Sequence, residues 1–288
     1  MAEESRSSRI APAECAGYPQ RFGRFCRNQG WTPDEVNVQT SERWSAVTAR
    51  QGRFGRQTPA GVYAAGPARL ARVPALITWW TQDVGSLSPR ADADEVAATG
   101  AELLDRWTEP QRRYHGTRHL VEMFWALEDL TDAGELGEDD AALGRIAAWL
   151  HDAVYDPAAV VGANETASAA LAETLLPRVR FAPEATASVV ELVRMTADHA
   201  VRRDSPLHRA FHDADLWILA APEARFDEYC SQVREEYAAV PDPLFRAVRA
   251  QILRDLIGAT GIYLTEHGRT HWDEPARANV DRELARLS

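Results

Sequence analysis

Between Leu143 and Asp156 the chain reads as a helix that must be buried and yet ends in two polar residues. Leu143, Ile146/Ala147, Leu150 and Val154 recur at helical spacing and predict one apolar face. His151 stands at the edge of that face, with Asp152 beside it. An imidazole and a carboxylate at the end of a buried stripe are costly unless something pairs with them. A divalent cation satisfies both at once, taking one nitrogen and one oxygen ligand. A frayed helix end that leaves the pair in water is the alternative, and residues on either side of the stretch decide between the two.

The chain has 288 residues and 45% hydrophobic content, enough for one large domain or a domain with an extension. A net charge of -11 argues against nucleic acid as a partner. No apolar run reaches the roughly 18 residues of a membrane span, and Met1 to Ile10 is too polar for a secretory signal. Cys15, Cys26 and Cys230 form neither a CxxC pair nor a disulfide framework, so a reduced, cytoplasmic setting is expected. Every basic residue is arginine, which removes a lysine nucleophile or Schiff base from consideration.

Residues 1–75 differ from the rest. They hold eleven arginines against six acids, show no apolar period, and repeat Arg21-Phe22-Gly23-Arg24 as Arg53-Phe54-Gly55-Arg56. An irregular, disordered extension is expected there, or translation from a start codon placed too far upstream. An RNA-binding arm is the other reading of the Arg/Phe/Gly interleaving.

From residue 76 to the end the pattern is helical. Helices are expected over about 91–108, from a Thr117 cap to about Leu130, over 139–154, from Asn164, and over Pro183 to His199. Further helices follow around Leu207 to Ile218, at 222–238, at 241–258 with Phe245, Val248, Ile252 and Leu256 inward, and at 274–287. No strand run and no strand–helix alternation is present, so the fold class is all-α.

Several of these apolar faces carry a ligand-type side chain: His119, the pair His151-Asp152, His199 with Thr196, and Asp215. One such residue is ordinary, since core histidines are often satisfied by a carbonyl. If the faces converge, they supply two imidazoles and two carboxylates, a mixed set suited to Mn, Fe, Co, Ni or Zn. Asp213 competes with Asp215 for the last place. Asp215 shares the face of Leu207, Phe211 and Ile218, which favours it.

In order, the local strings are Arg113-Tyr-His-x-x-x-His119, His151-Asp-x-Val-Tyr155-Asp156, Asn164-Glu-x-x-Ser168-Ala, Thr196-x-x-His199, Asp213-Ala-Asp-Leu216, Val233-Arg-Glu-Glu-Tyr237 and Ala276-Arg-Ala-Asn279. Together they resemble the HD-domain superfamily of metal-dependent phosphohydrolases, in a branch with no assigned substrate. The resemblance covers residues 76–288. It implies a helical bundle in which His119, His151, Asp152 and Asp215 hold a divalent metal (Mn, Co, Fe, Ni, Zn or Mg). Glu165 and His199 stand roughly where a second metal's ligands would be, and Asn164-Glu165 in place of a histidine leaves one metal or two.

The implied reaction is hydrolysis of a small phosphorylated metabolite, a nucleotide being one candidate, by a metal-activated water. Asp152 would orient that water, and His115 would donate to phosphate or protonate a leaving oxygen. Arg113 and Arg118 would meet phosphate oxygens, which a guanidinium fork suits better than an ammonium. Tyr155 and Asp156 follow closely enough to reach the pocket. Val233 to Tyr237 and the pair Arg277/Asn279 are expected to brace the bundle. Two other functions stay open: a di-iron oxygenase on the same scaffold, and a non-catalytic metal- or ligand-binding module.

Overall fold

The computed structural model describes residues 75–258 and 261–288. The expectations for the stretch before Ala75, including the Arg/Phe/Gly repeat, lie outside the described residues.

Among the described residues the protein is all-α, without a strand. Eleven helices follow in order: α1 Ala75–Leu87, α2 Ala93–Trp107, α3 Thr117–Asp132, α4 Glu138–His151, α5 Ala163–Leu175, α6 Pro183–Met195, α7 Pro206–Asp215, α8 Glu223–Glu236, α9 Asp242–Gly258, α10 Glu266–His271 and α11 Asp273–Leu287. A 3-10 turn, Leu216–Ala220, joins α7 to the loop before α8.

The bundle is organised around α4. It packs on α1, α3, α5, α6 and α7, and its residues Ile146 to His151 are all buried. The expected single apolar face is therefore too narrow a description: small residues at Ala141, Ala142, Gly144, Ala147 and Ala148 let helices approach on several sides. Val154 lies beyond the helix end and Leu143 is only partly buried.

Local chemistry sets the other boundaries. Asp92 caps α2 by accepting from the backbone of Asp94 and Glu95. Pro183 and Pro206 stand at helix starts, where a missing N–H costs nothing. The first turn of α3 is preceded by Gly116, with no side-chain cap; Thr117, expected as the cap, is already helical. Where α1 crosses α2, a methyl group on Gly100 would lie 2.6 Å from the Trp80 ring. The glycine lets that indole donate from Nε1 to Val96 O at 2.8 Å.

Two expected faces are corrected. Helix α6 ends at Met195, so His199 is not on it and instead takes a left-handed conformation, φ 51°. On α9, Val248 and Ile252 are 50% and 47% exposed, while Ala250 and Leu253 are buried. Phe245 and Leu256 of the expected face do pack on the core, so packing against α11 turns the buried face toward Ala250 and Leu253 without reversing it.

Candidate metal centre

The site forms where the C-terminal end of α4 meets the first turn of α3 and the last turn of α7. His119 sits in α3, His151 is the last residue of α4, Asp152 is its C-terminal cap, and Asp215 is the last residue of α7. His119 and His151 are nearly inaccessible, at 3% and 1% exposure. Ligand atoms of His119, His151 and Asp215 all lie within 4.8 Å of one another, a buried trio that could hold a metal ion.

The distances fit a coordination shell. His119 Nε2 is 3.2 Å from His151 Nε2 and 3.3 Å from Asp215 Oδ1. His151 Nε2 is 3.5 Å from the same oxygen and 2.9 Å from Asp152 Oδ2. The Asp152 oxygen is 3.8 Å from His119 Nε2. Neighbouring ligands at about 2.0–2.1 Å from one ion stand roughly 2.9–3.4 Å apart, and most of these spacings fall in that range.

Both rings are held from behind. His151 donates from Nδ1 to the carbonyl of Ala148 at 2.9 Å, which aims Nε2 at the carboxylates, where a metal would take the place of the Nε2 proton. His119 Nδ1 meets the Tyr114 hydroxyl at 3.0 Å. With Tyr114 accepting, His119 presents a lone pair. The Trp107 ring packs on both imidazoles and donates from Nε1 to Trp149 O, closing the apolar side.

The electrostatics favour positive charge. Burial pushes the Asp152 and Asp215 carboxyls up, but His151 outweighs it and holds both well below the usual range. Burial likewise opposes a charge on His151, and the two carboxylates override it, raising this imidazole well above its ordinary value. The same pair of carboxylates would draw any cation placed among them.

Asp213 is excluded from the cluster for a reason the sequence did not show. It does not point outward: it is fully buried. Its carboxylate accepts from Leu264 N, Thr265 N, Thr265 Oγ1 and His212 Nδ1, so it anchors the turn before α10.

The other candidates are scattered around the centre. His199 Nε2 is 3.9 Å from Asp215 Oδ2, and its Nδ1 is buried with no hydrogen-bond partner among the described residues. Glu165 is half-buried and its Oε2 is similarly unpartnered. His115 stacks on Tyr155 with ring centres 4.2 Å apart, and its own ring centre is 6.1 Å from that of His119. Asp156 is exposed and shapes its loop by bonding Ala158 N and, through its backbone, Asn164.

The arginines are placed differently from expectation. Arg113 is exposed, donating to Pro110 O and Arg112 O and pairing with Glu235 at 3.4 Å. Arg118 makes a two-oxygen contact with Glu228 and also meets Glu122. The neighbour that reaches the site is Arg112. It is buried and donates to the carbonyls of His115, Asp152 and Ala153, between the rings of Trp107 and Tyr155.

Two quoted strings turn out to be supports. Ser168 Oγ accepts from Val154 N and donates to Val154 O, and the Asn164 side chain brackets Asp156, so α5 pins the segment after His151. Asn279 donates to the carbonyls of Leu219 and Ala221, bracing the bundle as expected.

No family model, no curated protein and no solved structure matches this chain.

Proposed function

We propose that the cluster binds a divalent metal and that the protein is a metal-dependent phosphohydrolase of the HD type. The observation that carries this reading is the convergence of His119 Nε2, His151 Nε2, Asp215 Oδ1 and Asp152 Oδ2 in one cluster, with the rings fixed from behind. Those four residues would hold the ion. When bound, it supplies a Lewis acid and a water that ionises near neutral pH.

The chain's own groups supply the rest. Asp152, at the lip of the pocket, orients the attacking water through its second carboxylate oxygen. Trp107, packed on both imidazoles, keeps bulk water from their apolar side. His115, only partly buried, is the group available to donate a proton to the leaving oxygen. Arg112 holds the Asp152 and His115 backbones in register. Arg113 and Arg118 already face carboxylates, so phosphate recognition rests more on His115 and the metal than on a pair of guanidinium forks.

A small phosphorylated metabolite, with nucleotides as the first class to try, is the substrate class this reading implies. The test is metal analysis of the purified protein, followed by phosphate release from a panel of phosphorylated metabolites with Mn, Co, Mg and Ni. Activity that survives complete chelation counts against the reading, and so does a protein that takes up none of these metals.

A further inference from the structure

Glu236, at the C-terminal end of α8, stands in the string Val233 to Tyr237 that is expected only to brace the bundle, yet five groups converge on its carboxylate. Oε1 accepts from three consecutive backbone N–H groups, Arg113 at 2.7 Å, Tyr114 at 2.9 Å and His115 at 3.0 Å. Oε2 meets His115 Nδ1 at 2.6 Å and accepts from the Tyr155 hydroxyl at 3.0 Å. Successive N–H groups turned onto one anion make a fixed positive concavity. The Glu236 side chain is wholly inaccessible, whereas that of His115 is 21% exposed. A buried charge is therefore spent on placing one half-open imidazole and its backbone.

The placement is tight. Tyr155 stacks on one face of the His115 ring, with an interplanar angle of 28°, and Tyr114 meets it edge-on at 4.9 Å between ring centres. Glu236 is an acceptor only, so His115 Nδ1 must carry the proton in this contact. Nε2 is then the ring nitrogen left for chemistry, beside the cluster that contains His119.

We propose that Glu236 is a positioning residue. It fixes His115 with Nδ1–H on its carboxylate and Nε2 open to substrate, so that His115 protonates the leaving oxygen of a phosphate ester. The proposal rests on the phosphohydrolase reading above. As the water oxygen bonds phosphorus and the ester P–O bond breaks, the leaving oxygen takes the Nε2 proton. The proton given up by water returns to His115 through solvent, so the imidazole ends as it began and an alcohol and inorganic phosphate are released. Tyr155 serves the same end, since its hydroxyl occupies the remaining lobe of Oε2 and its ring sets the imidazole plane.

The experiment compares two esters that differ in their need for a proton. Phenyl phosphate has a poor leaving group, while 4-nitrophenyl phosphate leaves without help. Metal-loaded wild type, Glu236→Gln and His115→Asn are assayed on both, and 15N ring spectra of His115 are recorded with and without inorganic phosphate. Glutamine can keep the Oε1 contacts while losing the acceptor for Nδ1–H. Both variants should lose about 100-fold or more of kcat on phenyl phosphate and less than about 10-fold on 4-nitrophenyl phosphate, with KM little changed. Wild-type His115 should show a protonated Nδ1, and its Nε2 signal should move when phosphate binds.

A merely structural Glu236 would depress both esters alike, and that result overturns the proposal while leaving the hydrolase reading intact. A His115 ring without Nδ1–H in the wild type overturns it too, even if Glu236→Gln does not fold. If wild type cleaves neither ester and no member of the metabolite panel, the hydrolase reading and this proposal fall together.

Discussion

His119 Nε2 and His151 Nε2 face each other at 3.2 Å inside the bundle. The other nitrogen of His151 is committed to a carbonyl, and that of His119 to a tyrosine hydroxyl. Two arrangements satisfy this pair. Tyr114 can donate to His119 Nδ1, which puts a proton on Nε2 and makes an N–H···N bond, or Tyr114 can accept, which leaves two lone pairs aimed at one point. Asp152 and Asp215 are set around that point, where their charge favours either a proton on His151 or a metal cation in its place.

Asp215 and Asp213 should separate metal binding from folding. Asp215→Asn removes a charged ligand and should greatly weaken metal uptake, with little change in helix content. Asp213→Asn should leave metal uptake nearly intact and cost about 1–3 kcal/mol of stability through its anchored turn. Equilibrium dialysis and chemical denaturation of both variants decide it. Greater metal loss in Asp213→Asn contradicts the assignment.

Gly268 makes that turn possible. An added methyl group there would lie 2.7 Å from Asp213 Oδ2 and 2.8 Å from Tyr263 Cβ. Gly268→Ala should therefore destabilise by about 1–3 kcal/mol, read as a lower denaturation midpoint. An unchanged midpoint would show the contact to be softer than the geometry says.

Arg112 is expected to matter more than Arg113. Replacing Arg112 by Met leaves the carbonyls of His115, Asp152 and Ala153 without their donor. It should cost about 1.5–3 kcal/mol or more. Arg113→Met breaks a surface pair and should fall within about 1 kcal/mol of wild type. Thermal unfolding of the two side by side is the check, and equal losses would contradict the placement.

Acid stability should report on Glu236. Burial raises its pKa, but the His115 contact and the backbone N–H groups outweigh that and bring it from 4.5 down to about 2. A depressed carboxylate contributes stability that is fully present above its unfolded value and is lost as pH falls through the folded one. Wild type should thus lose stability between pH 4.5 and about 2 more steeply than Glu236→Gln. Parallel acid-unfolding curves for the two proteins would count against this.

Much of the bundle was legible in the sequence because helical periodicity is a local signal, and the four converging side chains were implied by the ordered strings of the family resemblance. The remainder was not local. Glu236 reaches His115 across 121 residues, and its place in the string Val233 to Tyr237 pointed only to bracing the bundle. Arg112 and Arg113 are adjacent in a loop without a period, so only the fold tells which one turns inward. His199 continued an apolar pattern that the chain abandons at Met195, and on α9 packing turned the buried face away from Val248 and Ile252 toward Ala250 and Leu253.

The central claim is that this cluster is a metal site, and metal content measures it most directly. Wild type loaded with Mn, Co, Ni, Zn or Fe and freed of loose ions should retain at least one ion per chain by elemental analysis, lose it to a strong chelator, and regain it. His151→Ala should retain far less while keeping its helical circular dichroism, because Ile146 and Leu150 still fill the core of α4. A wild type that binds none of these ions, or a His151→Ala protein that holds them as firmly as wild type, would contradict the account.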